Sequence, residues 1–326
     1  MLGAWKEFKR GKTGKPDVQE FDATLEENLF EIHDALKRKT YQPAPYVSFF
    51  VSDPKRRSIH KACVRDRVVH QALFRVLYPI FNKTFIHDSY SCRLGKGTHR
   101  GVRQLARYLR AVSGNYHRAA YALKCDIRKF FENIDHDILI GLLEKRIHDP
   151  GTCWLTKQII DSFVVSKVEP CSKTGLPLGN VTSQLFSNIY LNEFDQWAKH
   201  KLKARYYLRY CDDFLLLSRD KSELEKRLAI IVVFLHNELK LELHPNKVET
   251  IKVRQGVDFL GYVTLPHATM LRASTKNRMF RKLQEKKKLV QKGVCTEESF
   301  EHSRQSYLGV LAHANAQRLR GQVKAL

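Results

Sequence analysis

Residues 204–218 read ARYYLRYCDDFLLLS. Two short runs of aromatic and aliphatic residues, 206–209 and 214–218, flank Asp212 and Asp213, and this pattern predicts a buried β-hairpin with the acids at its turn. Adjacent carboxylates in a poorly solvated place repel each other, so the arrangement is costly by itself. A divalent cation removes that cost, and Mg²⁺ takes a few carboxylate oxygens together with substrate phosphates. The competing reading is a solvated turn with two acids at its tip. The apolar strands on both sides weigh against it.

Composition narrows the partners. The 326 residues can bury a large core, and 43% hydrophobic with 10% aromatic residues excludes a disordered chain. Lys and Arg number 57 against 34 Asp and Glu, a formal net charge of +23. Such an excess favours a polyanion, either nucleic acid or an anionic membrane surface. No uninterrupted apolar run approaches the roughly 18 residues of a membrane span. Seven scattered cysteines (Cys63, Cys92, Cys125, Cys153, Cys171, Cys211 and Cys295) include no Cys-x-x-Cys, which argues against a disulfide framework or zinc knuckle and for a reducing compartment. The start MLGAWKEFKR lacks the apolar core of a signal peptide. A cytoplasmic protein with no membrane partner is expected.

Working outward, residues 1–45 read as a basic arm leading into an amphipathic helix with Leu25, Leu29, Ile32 and Leu36 on one face. An extended segment follows and ends in a turn, Asp53-Pro54-Lys55-Arg56-Arg57, before a strand and a helix that carries Val68, Val69, Leu73 and Leu77 inward. The glycine-rich basic loop SYSCRLGKGTHRG (89–101) opens a helix over 102–112; it suits phosphates but lacks the spacing of a Walker loop. Residues 119–127 predict a buried strand with Asp126 at its end. Asp135 is placed to cap the next helix, which leaves Asp126 without a structural task. GLPLGNVTSQLFSNIYL (175–191) is a Gly/Pro loop feeding a long helix, where Thr182 and Ser183 suit a helix start. Further on, 222–239 predicts a helix, LELHPNKVETIKV a strand-like run, and VDFLGYVTL (257–265) a hairpin. The last stretch, 265–326, holds 13 Lys/Arg against 4 Asp/Glu, a net of 13 − 4 = +9, and reads as cationic helices.

In order along the chain, Lys-x-Asp-Ile-x-x-Phe-Phe-x-x-Ile-Asp at 124–135, Tyr-Cys-Asp-Asp at 210–213 and Phe-Leu-Gly-Tyr at 259–262 resemble the reverse transcriptases. The resemblance implies an α+β right-hand polymerase with fingers, a palm of antiparallel sheet plus helices, and a short helical thumb. The expected divisions are an N-terminal arm and helix (1–45), fingers with part of the palm (46–118), palm (119–266) and thumb (267–326). It also implies RNA-directed DNA synthesis by two-metal phosphoryl transfer with two Mg²⁺ ions. Asp126 and Asp212 are the expected bridging ligands, and the Ile127 carbonyl is a further one. Asp213 is either a ligand or a charge behind the ligands. Lys247 matches a lysine near the leaving pyrophosphate, a candidate general acid.

Other positions carry over singly. Lys55 and Arg57 match cations that clamp the incoming dNTP, and Phe131 matches the aromatic gate that excludes a ribose 2′-OH. Leu178 and Gly179 belong to the same nucleotide site. Ser183, Gln184, Phe259, Leu260, Gly261 and Tyr262 match template and primer contacts. Arg65 and Arg67 read equally as structural or template-contacting.

Group II intron enzymes usually carry Pro-Gln-Gly followed by Ser-Pro where this chain has Pro177-Leu178-Gly179 and Ser183-Gln184. That departure, with YLGVLAHANAQRL at 307–319, resembles the enzymes of diversity-generating retroelements. Retron enzymes carry Val-Thr-Gly where Val263-Thr264-Leu265 stands. The resemblance implies a bacterial, archaeal or phage-encoded enzyme that copies a template-repeat RNA from a primer. It would work with an oligomeric accessory variability protein and without a maturase or endonuclease domain. Its cDNA would carry errors opposite template adenines, for mutagenic retrohoming. Leu178 would relax selection by replacing a polar contact with a van der Waals one; its other reading is a residue that only packs the loop. The alternative is a phage-defence or group II-like reverse transcriptase of ordinary fidelity.

Overall fold

The computed structural model describes residues 1–53, 55–164 and 173–326. Pro54 of the expected turn and Cys171 lie outside the described residues; the other six cysteines are free thiols.

The chain opens with helices α1 (Leu2–Lys9), α2 (Pro16–Ala23) and α3 (Leu25–Lys37). A hairpin of β1 (Val47–Val51) and β2 (Arg57–Lys61) follows, then α4 (Val64–Asn82), α5 (Thr98–Ser113) and β3 (Tyr121–Asp126). Next come α6 (His136–Glu144), α7 (Pro150–Asp161), α8 (Val181–His200), β4 (Tyr207–Tyr210), β5 (Asp213–Ser218) and α9 (Lys221–Leu239). The chain closes with β6 (Glu249–Lys252), β7 (Val257–Phe259), β8 (Tyr262–Thr264), β9 (Thr269–Leu271), α10 (Ala273–Gln291), α11 (Glu297–Leu311) and α12 (Gln317–Lys324).

The central sheet is antiparallel in the order β4-β5-β3-β6. Both of its faces are covered. Leu123, Cys125, Phe214 and Leu216 point into a core shared with α4, α6, α8 and α9. Ala122, Leu215 and Leu217 point the other way, against Leu105, Leu109 and Val112 of α5. Burial on two sides is why these strands read as continuous apolar runs without polar alternation. A third core, built on Met279, Leu283, Phe300 and Leu311, holds the C-terminal helices against Tyr262 and Leu271 of the β7-β8-β9 sheet.

Local signals account for the element ends. Asp135 caps α6, its carboxylate accepting from the Ile138 N–H at 3.0 Å. Asp149 and Asp220 cap α7 and α9 in the same way. Gly114, at φ +57, ends α5 in the left-handed region.

Two expectations are corrected. Residues 2–9 are not a free basic arm: α1 buries Trp5 and Phe8 in the main core beside α4, because its apolar residues recur at helical spacing between the lysines. Thr182 and Ser183 do not cap α8. Asn180 holds the cap position and uses its amide on β2 instead, with Nδ2 donating to the His60 carbonyl at 3.0 Å and Oδ1 accepting from Ala62 N–H at 3.4 Å. Thr182 Oγ1 is 2.8 Å from His70 Nδ1, both buried. Among the described residues, no helix is long and apolar enough to cross a membrane.

Candidate active site

The site is built from the ends of β3 and β5 and the turn that joins β4 to β5. Cys211, at the start of that turn, has φ +55, a strained conformation for a side-chain-bearing residue that needs support from its surroundings. Arg209 supplies it. This side chain is fully buried, and Nη1 donates to the Cys211 carbonyl at 3.0 Å. Its Nε and Nη2 fork onto the equally buried Asp195 carboxylate at 2.8 and 2.6 Å, and Nη2 also donates to Ser89 Oγ at 3.2 Å. Tyr207 donates its hydroxyl to the same Asp195. Every strong group in this network has a partner, the condition under which a buried ion pair is tolerated. Neither Arg209 nor Asp195 is among the residues expected from the sequence. Arg209 is the one charge in β4, but Asp195 shares α8 with Glu193, Lys199 and His200 and does not stand out there.

Register then gathers the acids. Asp126, the last residue of β3, lies directly opposite Asp213, the first of β5. Ile127 donates its N–H to the Asp212 carbonyl at 3.2 Å, and His244 donates its N–H to the Asp126 carbonyl at 2.8 Å, so backbone bonds fix both ends. Lys247 reaches in from the turn before β6, with Nζ 2.9 Å from Asp126 Oδ1. The three aspartates and Lys247 thus meet at one point, although Asp126 stands 212 − 126 = 86 residues before the Asp212–Asp213 pair and 247 − 126 = 121 before Lys247.

Electrostatics follows from that packing. Burial pushes the Asp212 carboxyl above its ordinary range, with the Asp126 charge adding to the effect. Asp213 is pushed up to about 7, first by burial and then by the charges of Asp212 and Asp126. Carboxyls raised by burial and by neighbouring carboxylates are groups a cation would relieve. Among the described residues, no group of three or more His, Cys, Asp or Glu side chains is placed to hold a metal ion. The aspartates offer oxygen donors only, which suit a hard cation completed by water and phosphate oxygens better than zinc or another soft metal. Oxygen donors alone are the chemistry of a hard divalent cation such as Mg²⁺.

Phe131 and Leu178 line one cavity of about 890 Å³ with Ser58, His60 and Phe163. The loop carrying Leu178 is fastened to β2, His60 donating its N–H to the Leu178 carbonyl at 2.8 Å. Gly179 has φ +118, and a Cβ there would stand 2.9 Å from Ile59 Cγ2, so glycine is required on two counts. Lys55 and Arg57 are exposed at the tip and start of β2. Asp53, on the same turn, pairs with Lys282 of α10 and lies 4.0 Å from Arg278.

The expected template and primer contacts divide. Gln184 is exposed, whereas Ser183 is only 2% exposed and packs inside, so it is corrected to a packing residue. Phe259 is likewise core, and Tyr262 is buried with its hydroxyl donating to the Val310 carbonyl at 3.0 Å. Leu260 (φ +53) and Gly261 (φ +87) form the reachable hairpin tip. Strand alternation sends Phe259 and Tyr262 inward and leaves the turn outward. Arg65 and Arg67 resolve as structural: Arg65 holds Asp66 and the Gln42 carbonyl, and Arg67 holds Asp17 at 2.7 Å.

Known proteins surround the chain as follows. The profile of the family described as reverse transcriptase (RNA-dependent DNA polymerase) matches residues 52–264. Protein YkfC of Escherichia coli is 27% identical, with 74% of this chain and 72% of that protein covered. The group II intron-encoded protein LtrA of Lactococcus lactis is 23% identical, and this chain covers half of it (50%) while 74% of this chain is covered. Among solved structures, telomerase from Candida albicans in complex with a TWJ fragment of telomeric RNA superposes with a TM-score of 0.53 at 13% identity, covering 72% of this chain and 48% of that one. Apo telomerase from Candida tropicalis gives 0.50 at 12% identity, covering 69% and 48%. At such identities these structures speak to the fold alone.

Proposed function

Since the chain belongs to the reverse transcriptase (RNA-dependent DNA polymerase) family, we propose that it extends a primer on template RNA with dNTPs, in an error-prone mode serving mutagenic retrohoming. Residues 46–118 are read as fingers with part of the palm, 119–266 as palm and 267–326 as thumb, after an N-terminal segment of residues 1–45. The observation that carries the polymerase reading is the convergence of Asp126, Asp212, Asp213 and Lys247 at the end of β3 and β5.

Bound Mg²⁺ ions would activate the primer 3′-hydroxyl and neutralise the triphosphate. The chain's own residues do the rest. Asp126, Asp212, Asp213 and the Ile127 carbonyl supply the oxygens. Lys247 Nζ holds Asp126 in the free protein and, once that carboxylate is engaged elsewhere, is placed to give a proton to the departing pyrophosphate oxygen. Lys55 and Arg57 carry positive charge to the triphosphate, where charge builds in the transition state. The Phe131 ring on the cavity wall excludes a 2′-hydroxyl, selecting deoxynucleotides.

The diversifying reading rests on Leu178. Its side chain faces the same cavity as Phe131, so a contact with the nascent pair, and not loop packing alone, is supported. Loss of a polar contact there relaxes selection by about 1–3 kcal/mol, roughly ten- to a hundredfold in error. A template-repeat RNA, an accessory variability protein oligomer and a cytoplasmic setting belong to this reading. The likeness to LtrA, an intron-encoded protein, favours the second reading of a group II-like enzyme of ordinary fidelity.

One experiment separates them: primer extension on a defined RNA with Mg²⁺ and four dNTPs, with products sequenced beside Asp212→Ala and Leu178→Gln. DNA product absent in Asp212→Ala establishes the chemistry. Errors concentrated opposite adenine and lowered by Leu178→Gln establish diversification, whereas an unchanged spectrum in that variant removes it.

A further inference from the structure

Helix α5 lies outside the cluster of aspartates and has two opposed faces. Val102, Leu105, Leu109 and Val112 are buried against the sheet and the C-terminal core. Arg100, Arg103, Arg107 and Arg110 recur every three or four residues on the other side, all exposed. Among the described residues none of the four is within ion-pair distance of a carboxylate, although 26 such pairs occur elsewhere in the chain. A solvated helix face normally mixes signs to gain i,i+4 support. Four like charges over about 15 Å of helix instead repel one another, and a polyanion is what relieves them.

Two cavities show where such a polyanion would run. One, of about 540 Å³, joins the hairpin tip Leu260–Gly261 to Arg100 and Arg103. The other, of about 280 Å³, is lined by the same two arginines, Lys96 and Arg107. Lys96, Arg100 and Arg103 line both, so the groove is continuous from the hairpin tip onto the arginine row. Its two tyrosines are buried, Tyr90 at 2% exposed with Lys96 Nζ over its ring and Tyr262 at 3%, and His99 stacks on His313. With cations outnumbering its one exposed, unstacked ring, His87, the groove suits a sugar–phosphate backbone more than a row of splayed bases.

We infer that the arginine face of α5 is a nucleic-acid track outside the catalytic cleft, which holds the phosphodiester backbone of the enzyme's RNA where it continues past the hairpin tip. The inference rests on the polymerase reading of the cleft. It assigns a partner to residues that the chemistry does not use. Binding there is electrostatic, sequence-tolerant and strongly salt-dependent.

The test compares the full chain with Arg103→Gln/Arg107→Gln/Arg110→Gln and with a charge-matched control, Lys37→Gln/Lys83→Gln/Lys226→Gln, whose lysines are exposed elsewhere. RNA affinity is measured by fluorescence anisotropy in chelator across a salt series, with a structured RNA and with a short duplex. For the arginine variant, the slope of log K against log salt should fall by about 2–3, at 0.7–0.9 per lost phosphate contact. Affinity for the long RNA should drop at least about tenfold at low salt, with a smaller change for the short duplex. An unchanged slope, or an equal loss in the lysine control, overturns the inference. Primer extension by the wild type, run alongside, tests the polymerase reading separately: inactive enzyme with a normal arginine effect would sink that reading and leave the track. Circular dichroism melting confirms that the variants are folded.

Discussion

Asp213 makes the electrostatics of the cleft measurable without any substrate. Its carboxyl is pushed up from 3.8 to about 7 by burial and by Asp212 and Asp126. The folded protein therefore holds a proton there that the unfolded chain has lost above about pH 4. A raised pKa contributes stability that is fully present below the unfolded value and disappears as pH rises through the folded one. The difference, roughly 3 units at 1.36 kcal/mol each, is about 4 kcal/mol between about pH 4 and pH 8. Because three carboxyls share the repulsion, neutralising one should recover about 2–4 kcal/mol. Asp213→Asn should then be more stable than the wild type by that amount at about pH 8 in chelator, with the gap closing towards about pH 5. Urea unfolding at both pH values gives the gap directly. Adding Mg²⁺ at the higher pH should stabilise the wild type and shrink the gap, since the cation does what the mutation does. A gap that is constant with pH, or absent at the higher pH, would refute the account of a repulsive, cation-ready cluster.

Three further outcomes are expected. Asp195→Ala leaves Arg209 buried and unpaired, so it should cost about 3–5 kcal/mol in denaturant unfolding; a loss under about 1 kcal/mol would mean the pair does not hold the turn. Gly179→Ala forces a side chain at φ +118 against Ile59 Cγ2 and should cost about 1–3 kcal/mol. Ile59→Leu, which removes the β-branch, should restore part of it, and no restoration would put the whole cost in the backbone. Lys247→Ala should slow single-turnover extension by about 10²–10⁴ while leaving primer–template affinity in place, and a loss of affinity with normal turnover would reassign the lysine to binding.

Much of this was legible because the chemistry is local in sequence. Tyr-Cys-Asp-Asp between apolar runs dictates a hairpin turn, and Asp135 as a cap frees Asp126 for other work. The edges were less legible, since they depend on what packs where. Ser183 and Phe259 were read as contact residues by position in a motif, but helix and strand phase turns both inward. Residues 2–9 looked like an arm because lysines dominate the count, while the decisive residues are Trp5 and Phe8. Arg209 and Asp195 are 14 residues apart in different elements, and nothing in local propensity links them. The third strand β9, at Thr269–Leu271, is too short to stand out from the loop before α10.

The hidden network and the visible motif solve one problem between them. Three aspartates must stay close together, yet in the free protein they repel and would push the turn open. Two devices prevent this. Lys247 neutralises part of the charge at Asp126 from one side. Arg209, from beneath, fixes the Cys211 carbonyl so that the turn cannot relax away from β3. The buried pair holds the turn's geometry, and the lysine limits the charge without cancelling it: three carboxylates and one ammonium leave −3 + 1 = −2 when all are ionised. A site with that residue of negative charge attracts divalent cations but is not satisfied by side chains alone, because several coordination positions remain for substrate. On the proposed polymerase reading, retaining repulsion for the arriving reactants to relieve would couple metal and nucleotide binding, so that the acids become fully ionised when there is a triphosphate to act on.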